Sequence, residues 1–147
     1  MQEYFKNNFV SIYYDRTASL GIAEWKGHLR GAEFREAYLL CLDLVDRYAL
    51  TRWFGDDRLM ESIAPEDLDW SINFIIPRLA TSSLLRMARL PSYSEGNRSG
   101  VETMIAKGHS YDINLILRDF AEKQEALDWL MLPFLAPEVY NALIEEL

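Results

Sequence analysis

Asp56 and Asp57 stand side by side, followed by Arg58 and the hydroxyl of Ser62, and this is the stretch whose residue types most readily suggest chemistry. Neighbouring acids can hold a divalent cation or move protons, and the carboxyl end of a strand is where open α/β sheets hold their ligands. Two adjacent acids do not supply the roughly six oxygen ligands of a hard cation, and Asp is also an ordinary turn residue. Ser62 lies close to the start of a predicted helix, where an added phosphate would favour the positive end of the helix dipole. A serine there also serves as a plain cap or turn residue. His28 and His109 fall in predicted turns and receive no chemical role. The sequence has no P-loop, dinucleotide glycine fingerprint, nucleophile elbow or zinc-ligand spacing. No catalytic residue, metal or cofactor is assigned, and a metal-assisted enzyme using Asp56 and Asp57 ranks as the third reading.

Trp53, Trp70 and Phe74 are the apolar residues that suggest a binding surface. Trp70 and Phe74 are spaced to share one flank of a helix, away from Leu68, Ile72 and Leu79, where they would line a pocket or form a patch. Tyr140, Leu143, Ile144 and Leu147 make a second apolar stripe near the end of the chain, which either packs within the molecule or pairs with a second copy as a homodimer. Cys41 lies among apolar residues of a predicted helix and reads as core.

The elements that must position these groups follow from periodicity. Phe9–Tyr14 and Leu20–Trp25 are rich in β-formers and separated by a polar reversal at 15–19, which predicts a hairpin. After Gly27 and Gly31, Phe34, Ala37, Tyr38, Cys41, Leu44, Val45 and Tyr48 recur at helical spacing and predict a helix over about 32–48. Leu50–Phe54 predicts a strand that ends in Gly55-Asp56-Asp57. Pro65-Glu66-Asp67 opens a helix that Pro77 should kink or end. Leu84–Leu90 predicts a fourth strand in which Arg86 and Arg89 take opposite faces, so that at least one must find a partner or snorkel. Residues 91–100 read as a loop, 99–107 as a short helix, and 113–117 as a fifth strand. Asp119 and Glu122 predict a capping box for the next helix, and Pro137 starts the last one.

A half-apolar composition over 147 residues is enough for a sizeable core. The net charge of −8 disfavours nucleic acid, and no segment is apolar for long enough to span a membrane. The lone cysteine and the lack of an apolar leader point to the cytoplasm. The fold class expected is α/β: a mixed sheet of about five strands, with an N-terminal hairpin followed by alternating helices and strands, flanked by helices.

The order and spacing of several segments strengthen this expectation. Trp25-Lys26-Gly27, Glu33-Phe34-Arg35-Glu36-Ala37, Asp57-Arg58-Leu59-Met60, the run Ile63–Trp70, Pro77-Arg78-Leu79, Arg118-Asp119-Phe120 and the run Glu125–Leu130 together resemble the SpoIIAA-like (STAS-type) family over about residues 8–130. The resemblance implies a non-catalytic, anti-sigma-factor-antagonist-like module over residues 1–130, with residues 131–147 as a helical extension. It also implies a protein partner, with nucleotide binding in some members, and a subset is similar to lipid-carrier folds. Family antagonists carry a phosphorylatable serine in an Asp-Ser-Ser-Gly-like turn. This chain has Gly55-Asp56-Asp57-Arg58-Leu59-Met60-Glu61-Ser62 there, so no phosphosite is transferred to Ser62. Binding of an unidentified protein partner is the first reading, and carriage or sensing of an apolar small molecule or lipid is the second.

Overall fold

Alternating apolar residues build strands β2 (Val10–Asp15) and β3 (Leu20–Leu29), which pair antiparallel as the predicted hairpin. The computed structural model describes residues 1–110, 115–134, 142 and 145. In these residues the hairpin is extended on both sides, by β1 (Gln2–Lys6) and by β4 (Arg52–Ile63), β5 (Arg86–Leu90) and β6 (Ile116–Asp119). The described strands form a six-stranded sheet in sequence order, antiparallel from β1 to β3 and parallel from β3 to β6.

The expected mixed sheet is therefore present with one strand more than predicted. The additional strand is β1, a largely exposed edge strand whose polar residues give no period-two signal. Other boundaries differ as well: β3 runs past Trp25 to Leu29, and the strand expected over 113–117 is described at Ile116–Asp119. β4 does not stop at Phe54 but runs through the two acids to Ile63. The presumed loop at 91–100 already contains the start of a helix at Glu95.

The helices whose bounds are described are α1 (Gly31–Tyr48), α2 (Pro65–Trp70), α3 (Ile76–Ala80), α4 (Glu95–His109) and α5 (Lys123–Leu130). α2 passes into α3 through a π-helical turn at Ser71–Ile75, so the irregularity expected at Pro77 is a widened turn just ahead of it. Because the sheet grows in one direction from β3 to β6, right-handed crossovers return over the same face. Accordingly Val10, Ile12, Ala23, Trp25 and Trp53 pack with Phe34, Ala37, Cys41, Leu44 and Val45 of α1 and Val101 of α4. The opposite face joins Leu20, Ile22, Phe54, Ala88 and Leu90 to Ala126 and Leu130 of α5.

Polar groups fix the ends of these elements. Asp67, read from sequence as part of an acidic first turn, is buried and accepts hydrogen bonds from the Gly31 amide at 2.9 Å and Arg35 Nε at 2.7 Å. It thereby caps α1 from α2. The predicted Asp119–Glu122 capping box does not form. Glu122 is the N-cap of α5 without a side-chain bond, and the Asp119 carboxylate is held by Arg89 instead.

Candidate functional site

Alternation along β4 is interrupted where Glu24 and Lys26 of β3 oppose Asp56 and Leu59, and again where Gly27 and His28 oppose Met60 and Ser62. Each shift inserts one extra residue into β4, a bulge that re-aims the side chains after it. Asp57 and Met60 consequently both face the helical layer, where Trp53 and Gly55 also point. They border a partly open cavity of about 130 Å³ lined by the sheet, α1, the π-helical turn with α3, and α4.

The walls are mostly apolar. Trp25, Trp53 and Met87 come from the sheet, Leu42 and Val45 from α1, Ile75 and Leu79 from the second layer, and Met104 and Ile105 from α4. A cavity near 150 Å³ with apolar walls stays dry and takes up a benzene ring, so this volume suits one ring or a short branched chain. Trp53 is held against the strand beside it because its register partner is Gly21. A Cβ on Gly21 would come within 2.3 Å and 2.5 Å of the indole ring.

One end of the cavity is polar, with Asp57, Arg89 and Tyr38 all bordering it. Arg89 bonds bidentately to Asp119, its register neighbour on β6, through Nε and Nη2 at 3.0 Å each. Its Nη1 reaches Asp57 Oδ2 at only 3.4 Å. Burial raises the Asp57 carboxyl from 3.8 to about 6 against the lowering effect of Arg89, and the charges of Asp56 and Asp119 add to the rise. Burial also pushes the Tyr38 hydroxyl upward, with a further contribution from the Asp57 charge. Burial raises the pKa of the Cys41 thiol at the wall and so disfavours the nucleophilic thiolate.

The residues singled out from sequence separate. Trp53 and Asp57 reach the cavity. Asp56 pairs with Arg58, which donates through Nε at 3.0 Å and Nη2 at 2.8 Å, and Lys123 of α5 contributes to its field on the far face. Burial opposes Asp56 ionisation, yet the bonds and charge of Arg58 outweigh it and hold the carboxyl below its usual value. The two acids thus have separate arginine partners, although the Asp56 charge is felt at Asp57. Ser62 Oγ lies 2.7 Å from Nδ1 of His28, whose Nε2 contacts Glu61 at 2.8 Å. All three belong to an exposed cluster on β3 and β4, not to the predicted turns. Trp70 and Phe74 stack on each other with centroids 6.5 Å apart, and Arg35 lies 5.1 Å over Trp70. Phe74 is 62% exposed, so the pair forms a surface patch outside the cavity.

Tyr38, Arg89 and Asp119 were not singled out as site residues. The opposite faces of Arg86 and Arg89 were a signal that a buried guanidinium would need an acid. Which acid answers it depends on the β5–β6 pairing, which spacing does not reveal. Tyr140, Leu143, Ile144 and Leu147, the expected oligomer stripe, lie outside the described residues.

Among the described residues no helix is long and apolar enough to cross a membrane, and no cluster of three or more His, Cys, Asp or Glu has metal-binding geometry. No family model and no curated protein matches the chain. Among solved structures it is similar to an uncharacterised protein of the DUF3478 family with a SpoIIAA-like fold from Shewanella loihica PV-4. The TM-score is 0.51 at 16% identity, over 86% of this chain and 98% of that one. At this identity the likeness speaks for architecture alone, and that architecture is the one the sequence resemblance implied: the chain has a SpoIIAA-like fold.

Proposed function

We propose that this domain is a non-catalytic binding module that carries or senses a small apolar molecule in the cavity between the sheet and α1, α3 and α4. The observation that supports this most is a partly open pocket of about 130 Å³ with apolar walls and a few polar groups among them. Ligand sites combine these features, apolar walls for affinity and a few polar groups for orientation. A non-catalytic role agrees with the burial that disfavours the Cys41 thiolate and with the exposure of the His28–Ser62 pair.

The test is a titration with toluene followed by the fluorescence of Trp25 and Trp53, both in the wall. Saturable quenching or a spectral shift is expected in the natural protein. Gly55→Val should abolish it. A Cβ at Gly55 would make only ordinary contacts, 3.9 Å with Arg89 and Asp57 and 4.0 Å with the Ala88 carbonyl, so the substitution adds bulk at the cavity without a clash of the Cβ. Equal, non-saturating responses in both proteins would overturn the proposal.

The exposed Trp70–Phe74 pair favours a second reading, a regulatory surface for a protein partner. It is tested by whether a partner captured by the natural chain is lost with Trp70→Ser and Phe74→Ser while binding of toluene is retained.

A further inference from the structure

Resting on the cavity reading, we infer that the ligand carries a hydrogen-bond donor, an amine or a hydroxyl group, which it directs to the Asp57 carboxylate, and that anionic ligands are excluded. The charge arrangement leads there. Arg89 is the guanidinium at the polar end, and it is already committed to two carboxylates, bidentately to Asp119 and once to Asp57. With Asp57 ionised, that cluster carries one negative charge in excess. A carboxylate or phosphate head would have to displace an existing acid from Arg89 or sit beside the excess negative charge with no free guanidinium to neutralise it.

Asp57 is in the opposite condition. Its side chain is about nine-tenths buried, and among the described residues its single hydrogen-bond donor is Arg89 at 3.4 Å, whereas an ionised carboxylate has about four acceptor positions. A buried acceptor with so little satisfaction gains most from a donor brought by a ligand. Gly55 leaves room next to that carboxylate, since the Asp57 Oδ1 atom lies 3.9 Å from where its Cβ would stand. The Tyr38 hydroxyl at the same end can rotate either to accept from the ligand head or to donate to it. Among the described residues, His109 of α4 is the remaining ionisable side chain of the wall besides Cys41, and it adds no negative charge.

The experiment compares four ligands of one ring size near neutral pH, above the Asp57 titration: toluene, benzyl alcohol, benzylamine and benzoate. Affinities are read by tryptophan fluorescence in the natural protein and in Asp57→Asn, which keeps the shape and leaves the Arg89–Asp119 pair intact. Benzylamine and benzyl alcohol should bind about tenfold more tightly than toluene, and benzoate should bind more weakly than any of them. In Asp57→Asn the advantage of benzylamine over toluene should fall about tenfold while the toluene affinity is unchanged. Benzoate equal to or tighter than benzyl alcohol, or an amine advantage that survives the substitution, overturns the inference while the cavity reading stands. Failure of all four to bind overturns both.

Discussion

The two faces of the sheet are built from similar residues and end in different states. Under α5, Leu20, Ile22, Phe54, Ala88 and Leu90 pack against Ala126 and Leu130, with Phe120 and Trp129 in contact at 5.6 Å between ring centroids. That helix is tied down at its carboxyl end. Arg52 donates to the Leu130 carbonyl at 2.6 Å and to the Ala18 carbonyl at 2.7 Å, and Arg86 reaches the Leu132 and Pro133 carbonyls beside it. Both guanidiniums also stack on Phe134, at 4.5 Å and 4.3 Å. On the other face three crossover segments meet over larger side chains and leave the cavity. Asp56 and Asp57, adjacent in sequence, mark the difference. The first has a bidentate arginine and a lowered pKa, and the second has one long contact and a raised one. On one face the acid's bonds are short and bidentate, and on the other the acid has one long contact beside an apolar space, which is the arrangement the proposed ligand would use.

The largest expected effect breaks the cavity wall. Gly21→Ala drives a methyl group into the Trp53 ring, whose atoms lie 2.3 Å and 2.5 Å from the position it would take. Urea denaturation should show a loss on the order of 3 kcal/mol, the upper part of the range for overpacked cores. The toluene signal should change with it because Trp53 must move.

The next effect contrasts the two acids by pH. Folding raises the Asp57 pKa from 3.8 to about 6, so its contribution to stability is full below 3.8 and is lost as pH rises through 6. The shift corresponds to roughly 2–3 kcal/mol. The stability of Asp57→Asn relative to the natural chain should therefore climb by roughly that amount between about pH 4 and pH 7. Asp56 has the opposite sign. Its folded pKa is lowered, so its contribution is present above the ordinary value and lost as pH falls, and Asp56→Asn should lose ground as pH rises. Parallel behaviour of the two variants would dissolve the contrast.

The smallest effect falls on the packed face. Arg52→Met removes charge-assisted bonds to the carbonyls of Leu130 and Ala18 and should cost about 1.5 kcal/mol. Hydrogen exchange should speed up in Lys123–Leu130 more than in α1, and the affinity for toluene should be unaltered. A loss of protection spread equally over both faces would contradict their separation.

The parts of this arrangement governed by local spacing were legible in the sequence. The hairpin and α1 follow from period-two and helical recurrence, and Phe34, Ala37, Cys41, Leu44 and Val45 are buried as that recurrence predicts. β4 was cut short because Gly55-Asp56-Asp57 has the composition of a turn. The strand continues because each acid meets an arginine, one from the same strand and one from β5. The start of α4 was hidden by its Ser, Gly and Asn content, and Gly100 within it serves close packing, since a Cβ there would lie 3.3 Å from Leu68. The site was legible only in fragments. Trp53 and Asp57 stood out by type, but the grouping of Asp57 with Tyr38, Arg89 and Asp119 joins α1, β4, β5 and β6 and depends on strand order. Trp70 and Phe74 share a helical flank as their spacing indicated, and their distance from the cavity follows from the side of the layer that α2 and the π-helical turn present to it.

The central claim is that the cavity on the helical face holds an apolar ligand, and the toluene titration of the natural chain and Gly55→Val tests it most directly. The account predicts saturable quenching of Trp25 and Trp53 in the natural chain and its loss in the variant, with both proteins folded. Equal responses in the two folded proteins, or none in either, would contradict it.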